Sequence, residues 1–319
     1  NLRREIANAG IMERDYPYYV VTTFTSFGGL FLFLYLFFIT TNVFFLVTIC
    51  IGITFFGVQI AGLLHDSVHR AIFKSTKTND LFGYFCSGII AVVYNSYKEK
   101  HNMHHAHPNQ EDEDPDIDIP LLALSKDRYE DKNSIEKFVT PYQAYLYYPL
   151  GLLVGFTLRL GGLSYFKKLK LYHLWQIAMV FAGLFFWFVL PFFIYDLVKA
   201  SIFILLLTGS LGIYIANIFA PNHKGMPQLK KDQKISFLEH QIITSRNVHP
   251  GLITDIVLLG LNYQIEHHLF PECPRNKLKL LTPYVKKVCE QHNLPFTEES
   301  LLQSNKTIMS SLNSVATTV

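Results

Sequence analysis

The sequence predicts an all-α membrane protein with four transmembrane helices in two hairpins and a cytosolic helical cap that is rich in histidine. Three observations support this fold class. Half of the 319 residues are hydrophobic and 17% are charged, whereas soluble domains carry roughly a quarter charged residues. Four apolar segments are long enough to span a bilayer, and the histidines cluster outside them. The composition therefore argues against an ordinary soluble fold.

Four segments lack Asp, Glu, Lys and Arg over a length sufficient to cross a membrane. At a rise of about 1.5 Å per residue, a helix of this length covers the roughly 30 Å hydrocarbon layer. The links between the first and second segments and between the third and fourth are so short that each pair must form a hairpin. The predicted spans are residues 19–39, 43–64, 174–194 and 200–220.

Three further apolar stretches are shorter or are interrupted by Pro, Gly or charged residues. Stretches of this kind lie more often at the membrane interface or inside a protein than across the bilayer. We therefore expect no additional spans from residues 81–95, 142–166 and 252–263; the alternative, a six-span arrangement that uses 81–95 and 142–166, would also keep both termini on one side.

The distribution of Lys and Arg predicts the orientation in the membrane. All but one of the 28 basic residues lie before the first span, between the hairpins or after the last span, and the exception is Lys199. The excess of basic residues in cytoplasmic loops places both termini and the cap, residues 65–173 and 221–299, in the cytosol. We predict one membrane-embedded domain over residues 1–299. Residues 300–319, rich in Ser, Thr and Asn, are predicted to form a flexible tail.

Net charge and cysteine usage exclude other classes of protein. A net charge of +3 is too small to attract a polyanion, so no nucleic-acid partner is expected. The four cysteines form no CxxC pair and no dense framework, so disulfides are not expected to stabilise the fold.

Histidines three or four residues apart project from one face of a helix. Three segments have this spacing, HDSVH at 65–69, HNMHH at 101–105 and QIEHH at 264–268, and His223 follows the fourth span. Imidazole gains little from packing beside apolar spans, but it is a good ligand of Fe, Cu, Zn and Ni. No cysteine lies in any cluster, and the nitrogen donors suffice for two ions. The pattern predicts a histidine-rich di-metal site in the cap.

These three segments resemble the histidine boxes of the membrane fatty acid desaturases, in the branch whose third box begins with Gln. The stretch at 104–118 is also similar to bacterial acyl desaturases of that branch. The resemblance runs from about residue 62 to residue 295. It implies an enzyme that uses O2 and two external electrons to introduce a cis double bond into a fatty acyl chain, carried as an acyl-CoA or an acyl-lipid.

The resemblance also implies a di-iron centre held mainly by histidines. Gln264 replaces a histidine of other branches, so it is either a ligand or a hydrogen-bond partner. Three polar neighbours, Asp66, Asn102 and Glu266, are candidates to bind the metal or to orient the imidazoles. The implied iron ligands are His65, His69, His101, His104, His105, His223, His267 and His268.

The expected partners follow from the same resemblance. Electrons are expected from a separate ferredoxin or a cytochrome b5 with its reductase, and the substrate from the fatty acyl chains of membrane lipid or coenzyme A. The acidic run at 111–118 is predicted to be a solvated loop, and the alternatives are a docking surface or residues that support the metal ligands.

Two other functions remain open at this level. A lipid hydroxylase or another di-iron membrane oxygenase would use the same ligands, and its product would gain an oxygen atom. A zinc-dependent membrane hydrolase is a more remote alternative. It would need one zinc ion and about three ligands, which leaves most of the clustered imidazoles without a role. The double-bond position and the acyl carrier are not set by these motifs.

Overall fold

The computed structural model describes residues 2–40, 42–168 and 174–318. The last part of the predicted cap segment, residues 169–173, lies outside the described residues. The described chain is almost wholly helical, as predicted, and its only sheet there is a parallel pair of two-residue strands.

The elements follow the chain as a series of long apolar helices separated by shorter ones. In order, the α-helices are α1 (Leu2–Asn8), α2 (Tyr16–Ile39), α3 (Val43–Val68), α4 (Thr76–Ile89), α5 (Tyr94–Ala106), α6 (Lys126–Glu130), α7 (Ser134–Val139), α8 (Gln143–Leu163), α9 (Leu174–Leu184), α10 (Pro191–Ile194), α11 (Leu197–His223), α12 (Phe237–Ile243), α13 (Leu252–Val257), α14 (Gln264–Leu269), α15 (Thr282–His292) and α16 (Leu301–Thr317). The other described elements are 3-10 turns at Thr140–Tyr142, Ser164–Lys168 and Arg275–Leu280, a π-helical turn at Phe185–Val189, and strands β1 (Asn247–Val248) and β2 (Glu298–Glu299).

Within the described ranges, four helical stretches are long and apolar enough to cross a membrane, and three of them coincide with predicted spans. Leu174–Val189 is a shorter apolar helix, because α9 passes into a π-helical turn and Pro191, which lacks an N–H, then begins α10. The four candidate spans are Tyr16–Ile39, Phe44–Val68, Ser134–Lys168 and Leu197–His223.

The chain divides into two compact units. The first unit contains Asn1–Glu13, Glu99–Leu150 and Asn217–Val319. The second unit contains Arg14–Lys98 and Gly151–Ala216.

In the second unit, α2 and α3 form a tight antiparallel hairpin. Glycines make this possible, because a Cβ on Gly29 would lie 2.3 Å from the ring of Phe56 and a Cβ on Gly52 would lie 2.2 Å from that of Phe33. Asn42 begins α3 by accepting a hydrogen bond from a backbone N–H of its first turn.

The stretch 142–166 differs from the expectation of an interrupted interfacial segment, because it contains the continuous helix α8 with Pro149 inside it. Gly155 does not interrupt the helix, because it lies where α8 packs against α11. A Cβ there would lie 2.3 Å from the carbonyl oxygen of Thr208 on α11. Small residues let two apolar helices approach closely in a membrane, which explains glycines within a spanning segment.

In the first unit, α1, α14 and α15 share an apolar core that includes the fully buried residues Ile6, Ile265 and Val285. Beside this core, β1 and β2 pair in parallel, with Asn247 opposite Glu298. The chain around the third histidine segment is therefore enclosed by hydrophobic packing.

Most of the segment predicted to be a flexible tail, residues 300–319, is instead the helix α16, and residue 319 lies outside the described residues. Ile308 and Leu312, four residues apart, are buried on one face of this helix, and the side-chain amide of Gln143 donates to the Leu312 carbonyl at 2.9 Å. Ser300 caps the first turn. The prediction was wrong because an apolar stripe at helical spacing was diluted by many polar residues on the opposite face.

Candidate metal centre

Two helices of the first unit each carry a pair of adjacent histidines. His104 and His105 lie near the end of α5, and His267 and His268 lie in α14. Neighbouring residues on a helix with 3.6 residues per turn point about 100° apart. The two members of each pair therefore face different groups, as the contacts described below show.

The first group consists of His104, His223 and His268, whose ring centroids are 4.7–5.1 Å apart. One potential ligand atom from each ring lies within 4.8 Å of the others, and all three residues are buried. His223 is the last residue of α11. The structure thus brings together three of the predicted ligands from three separate parts of the sequence.

Each ring of this group has an oxygen acceptor next to its Nδ1. Carboxylate and amide oxygens accept hydrogen bonds but cannot donate them, so Nδ1 carries the proton in each neutral ring. Nε2 of each ring is then the lone-pair nitrogen, which is the arrangement of histidines that ligate a metal; that of His223 accepts from the Gln264 amide at 2.9 Å. The distances from Nδ1 are 3.0 Å from His104 to Asp114 Oδ1, 3.0 Å from His223 to the Thr244 carbonyl and 2.7 Å from His268 to Gln241 Oε1.

His268 shows the arrangement most clearly. Its Nε2 is buried and has no hydrogen-bond partner among the described residues. Gln241 presents its oxygen to the other ring nitrogen, because its own Nε2 donates to the carbonyl of His105 at 3.1 Å. Burial lowers the pKa of His268 well below its ordinary value, and the neighbouring imidazoles lower it further. A neutral imidazole with an unsatisfied buried nitrogen fits a metal ligand.

The second group in this unit consists of His101, His105 and His267. His101 and His105 lie one turn apart on α5 with ring centroids 4.6 Å apart. The Nε2 atoms of His105 and His267 are only 3.1 Å apart. Two nitrogen lone pairs at that distance repel each other unless a proton or a cation is present, so this group also fits a metal ion.

In the second unit, His65 and His69 lie at the end of α3 with ring centroids 4.7 Å apart, and both are buried. The Nδ1 of His65 is 3.1 Å from Asp66 Oδ1, and the hydroxyl of Tyr19 donates to Asp66 Oδ2 at 3.0 Å. Asp66 therefore lies beside the imidazole of His65.

Asp114 lies in the acidic run for which a solvated loop was the favoured prediction and support of the metal ligands an alternative. It is in fact buried, and its carboxylate accepts bonds from the backbone N–H groups of Asn109 at 2.7 Å and Asp116 at 2.9 Å, besides its contact with Nδ1 of His104. Burial alone would raise the pKa of Asp114, but His104 and these backbone groups lower it to about 2. An ionised carboxylate thus orients His104.

Gln264 contacts the first group through its amide nitrogen. Its Nε2 is 2.9 Å from Nε2 of His223, and its oxygen accepts from the side-chain amide of Asn222 at 3.0 Å. The nitrogen of Asn222 also points at the carbonyls of Ile218 and Leu261, which fixes the orientation of both amides. In this arrangement Gln264 is a hydrogen-bond partner of a histidine.

Asn102 and Glu266 do not contact the imidazoles in this way. Asn102 is exposed on α5. Glu266 is fully buried, and its Oε2 accepts from the side-chain amide of Asn247 at 2.7 Å. Asn247 in turn accepts from the backbone N–H of Ile265 at 2.9 Å. Glu266 therefore supports the beginning of α14 instead of a histidine ring.

Arg246 fixes the end of the helix that carries His223, a role that no local sequence pattern indicates. Its buried guanidinium donates to the carbonyls of Pro221 at 2.7 Å and Lys224 at 3.0 Å, and it forms an ion pair with Glu299 at 3.2 Å. The last carbonyls of a helix lack intrahelical partners. Arg246 satisfies two carbonyls that flank His223.

Long apolar helices and buried groups of imidazoles define the class of this molecule: a helical membrane protein with a histidine-rich site suited to metal ions. Comparison with known families then makes the assignment specific. The fatty acid desaturase family model matches residues 40–300, and the chain belongs to that family.

Individual relatives agree with this membership. The chain is 29% identical to the Delta(6)-fatty-acid desaturase fat-3 of Caenorhabditis elegans, with 92% of this chain and 69% of the relative covered. It is 30% identical to a Delta(8)-fatty-acid desaturase of Euglena gracilis, with 92% and 73% covered. It is 28% identical to an acyl-lipid (9-3)-desaturase of Physcomitrium patens, with 81% and 51% covered. The chain is therefore similar to desaturases named for several different double-bond positions.

Proposed function

We propose that this protein is an O2-dependent fatty acyl desaturase that introduces a cis double bond at a histidine-ligated di-iron centre. In the overall reaction, a CH2–CH2 unit, O2, two electrons and two protons yield CH=CH and two molecules of water. The observation that carries the proposal is the trio His104, His223 and His268, whose buried rings carry the proton at Nδ1 and so offer Nε2 as the metal-binding atom. The Gln264 amide, which lies 2.9 Å from Nε2 of His223, is proposed to shift when iron binds.

The proposed ligand set follows the described groups. His104, His223 and His268 are proposed to hold one iron, and His101, His105 and His267 to supply ligands of the other. His65 and His69 are proposed as ligands of the same di-iron centre on the basis of the sequence resemblance. Gln264 is proposed as a hydrogen-bond partner, because its oxygen is engaged by Asn222.

Iron is needed because an unactivated methylene has no acidic proton and no polar group, so the bound irons with O2 would supply the oxidising chemistry. The chain contributes orientation and the exclusion of water. Asp114, Thr244 and Gln241 hold the proton at Nδ1 of their histidines. Burial keeps bulk water from the donors, which limits side reactions.

An apolar cavity in the second unit is proposed to receive part of the acyl chain. It follows α3 from Ile53 to Ala61, which lies one helical turn before His65, and it is lined almost wholly by apolar atoms. At about 1.5 Å per residue, this stretch of α3 is roughly 12 Å long. An acyl chain needs such an apolar environment on the side of the centre that faces the bilayer.

We further propose that the histidine groups and both termini face the cytosol, on the distribution of basic residues. Electrons would then come from a cytosolic or membrane-bound one-electron carrier, a ferredoxin or a cytochrome b5 with its reductase. The substrate would be an acyl chain carried as a coenzyme A thioester or a membrane lipid.

Expression with a reductase system in a host of defined lipid composition tests the function. Gas chromatography with mass spectrometry should find host fatty acids that have lost two hydrogens, and His268→Ala should abolish them. The control His292→Ala changes an exposed histidine and should retain activity. Products that gain one oxygen would identify a lipid hydroxylase, and unchanged lipids with one zinc per chain would favour a hydrolase.

A further inference from the structure

Arg159 is a buried cation within the apolar second unit. It is 5% exposed. Its Nε donates to the carbonyl of Ile90 at 3.2 Å, its Nη1 donates to the carbonyl of Gly155 at 2.8 Å, and the guanidinium lies 5.5 Å from the ring centre of Phe188. No carboxylate among the described residues forms an ion pair with it. Carbonyl dipoles and an aromatic ring alone offset its charge.

This guanidinium lines the cavity that follows α3. The other polar groups of the lining are already paired within the protein: Thr54 bonds to Ser210 at 2.7 Å, and the indole N–H of Trp187 donates to the carbonyl of Ile89 at 2.8 Å. A guanidinium has five N–H donors, and two described carbonyls do not satisfy all of them. Arg159 is therefore the charged element of an otherwise apolar wall.

Packing places Arg159 at the end of the cavity far from His65. Thr54 of α3 meets Ser210 of α11, and Gly155 of α8 packs on Thr208, two residues earlier along α11. The side chain of Arg159 folds back onto the Gly155 carbonyl. The guanidinium therefore lies near the level of Ile53 and Thr54, whereas Ala61 marks the end next to His65.

We propose that Arg159 determines the length of acyl chain that the cavity accepts. This inference rests on the proposed function and on the proposed use of the cavity. Methylene and methyl groups cannot accept a hydrogen bond. Contact with them would therefore desolvate the N–H donors of the guanidinium and supply no acceptor in return. The end of the acyl chain should stop before it reaches Arg159. The charge of Arg159, as well as the volume of the cavity, then limits how deep an acyl chain can bind.

A purely structural role for Arg159 predicts a different effect of removing its guanidinium. The bonds to Ile90 and Gly155 also clamp the segment between α4 and α5 against α8. If clamping were the only role, removal of the guanidinium would weaken folding and lower turnover equally for every chain length. A length-specific change distinguishes the two roles.

The test compares Arg159→Met, which keeps a long side chain but removes the charge, with Arg159→Lys, which keeps the charge. Acyl substrates of increasing length are supplied together, and the ratio of long-chain to short-chain products is measured. Arg159→Met should raise this ratio by about tenfold, the scale of added methylenes in an apolar pocket, and Arg159→Lys should leave it near the wild-type value. The nearby Leu160→Met serves as the control and should leave the ratio near the wild-type value, because Leu160 is exposed and is not part of the cavity lining.

Binding provides a second readout that does not depend on turnover. Fatty acids of increasing length are added to the purified variants, and protection against thermal unfolding is measured. Longer chains should protect Arg159→Met more than the wild type. An unchanged length profile in both assays would overturn the role of Arg159. A wild type that desaturates no lipid would overturn the proposed function, and the binding profile would still decide the role of Arg159.

Discussion

The Nδ1 of His104 lies 3.0 Å from the buried carboxylate of Asp114, ten residues further along the chain. The loop that follows α5 turns back so that Asp114 meets the ring from behind, and backbone N–H groups of Asn109 and Asp116 hold the carboxylate in place. Carboxylate–histidine–metal arrangements of this kind fix the ring orientation and increase the basicity of the ligand.

Asp114→Asn should reduce iron affinity by about 10–100-fold, the usual effect of removing such a carboxylate. The substitution replaces the carboxylate beside Nδ1 of His104 with a neutral amide, and this amide can turn its own N–H toward Nδ1. The measurement is iron content of the purified protein over a series of free iron concentrations. Asp118→Asn in the same acidic run changes an exposed residue and should match the wild type; equal affinities for both variants would exclude the orienting role.

His223→Ala should remove one ligand of the first histidine group while leaving the helices intact. We expect loss of about half of the bound iron and loss of desaturation, since a three-ligand site loses one of its donors. Elemental analysis and circular dichroism check the two expectations. Full iron content in this variant would remove His223 from the ligand set.

Arg246→Met should destabilise the protein by about 3–5 kcal/mol, because it leaves the partner charge and two carbonyls beside His223 unpaired. Thermal unfolding in detergent measures the loss, and iron content should fall with it. Glu299→Gln should be milder, because Glu299 is partly exposed and the carbonyl bonds of Arg246 survive. If both substitutions leave stability unchanged, Arg246 does not support this helix end.

Gly155→Ala should destabilise α8, because its Cβ would lie 2.3 Å from the carbonyl oxygen of Thr208, a backbone atom that cannot move aside. Gly161→Ala on the same helix is the matched control, since no atom lies within 4 Å of the added Cβ. That control should be neutral or stabilise by about 0.5–1 kcal/mol through helix propensity. Equal melting temperatures would contradict the close contact of α8 and α11.

Leu312→Ala should cost about 2–5 kcal/mol, as expected for a buried leucine, because Leu312 lies on the packed face of α16. Leu302→Ala alters a residue that is 68% exposed, and the free energy of unfolding should change by less than about 0.5 kcal/mol. A mobile tail would make both variants equivalent. Unfolding curves of the two proteins therefore test whether α16 is part of the fold.

Local patterns in the sequence predicted the helical fold class and indicated which histidines share a helix face. Spacing by three and four residues is a property of a single helix, so the histidines of α3, α5 and α14 could be recognised from their neighbours alone. Asp114 could not be told apart from the other acidic residues of its run, because its burial depends on how the loop after α5 folds back. Arg246 could not be recognised, because its role depends on contacts between distant segments. Gly155 gave a false signal, since a glycine that lets two helices approach looks the same in sequence as one that ends a helix.

The parallel pairing of β1 with β2 and the ion pair of Arg246 with Glu299 constrain when the centre can form during biosynthesis. The ribosome produces the His223 helix end well before residues 298 and 299, and chain growth proceeds at about 5–20 residues per second. Until residues 298 and 299 emerge, the guanidinium that bonds the carbonyls beside His223 lacks its acidic partner. We therefore expect iron loading to follow the synthesis of this segment instead of accompanying the synthesis of the histidine-bearing helices.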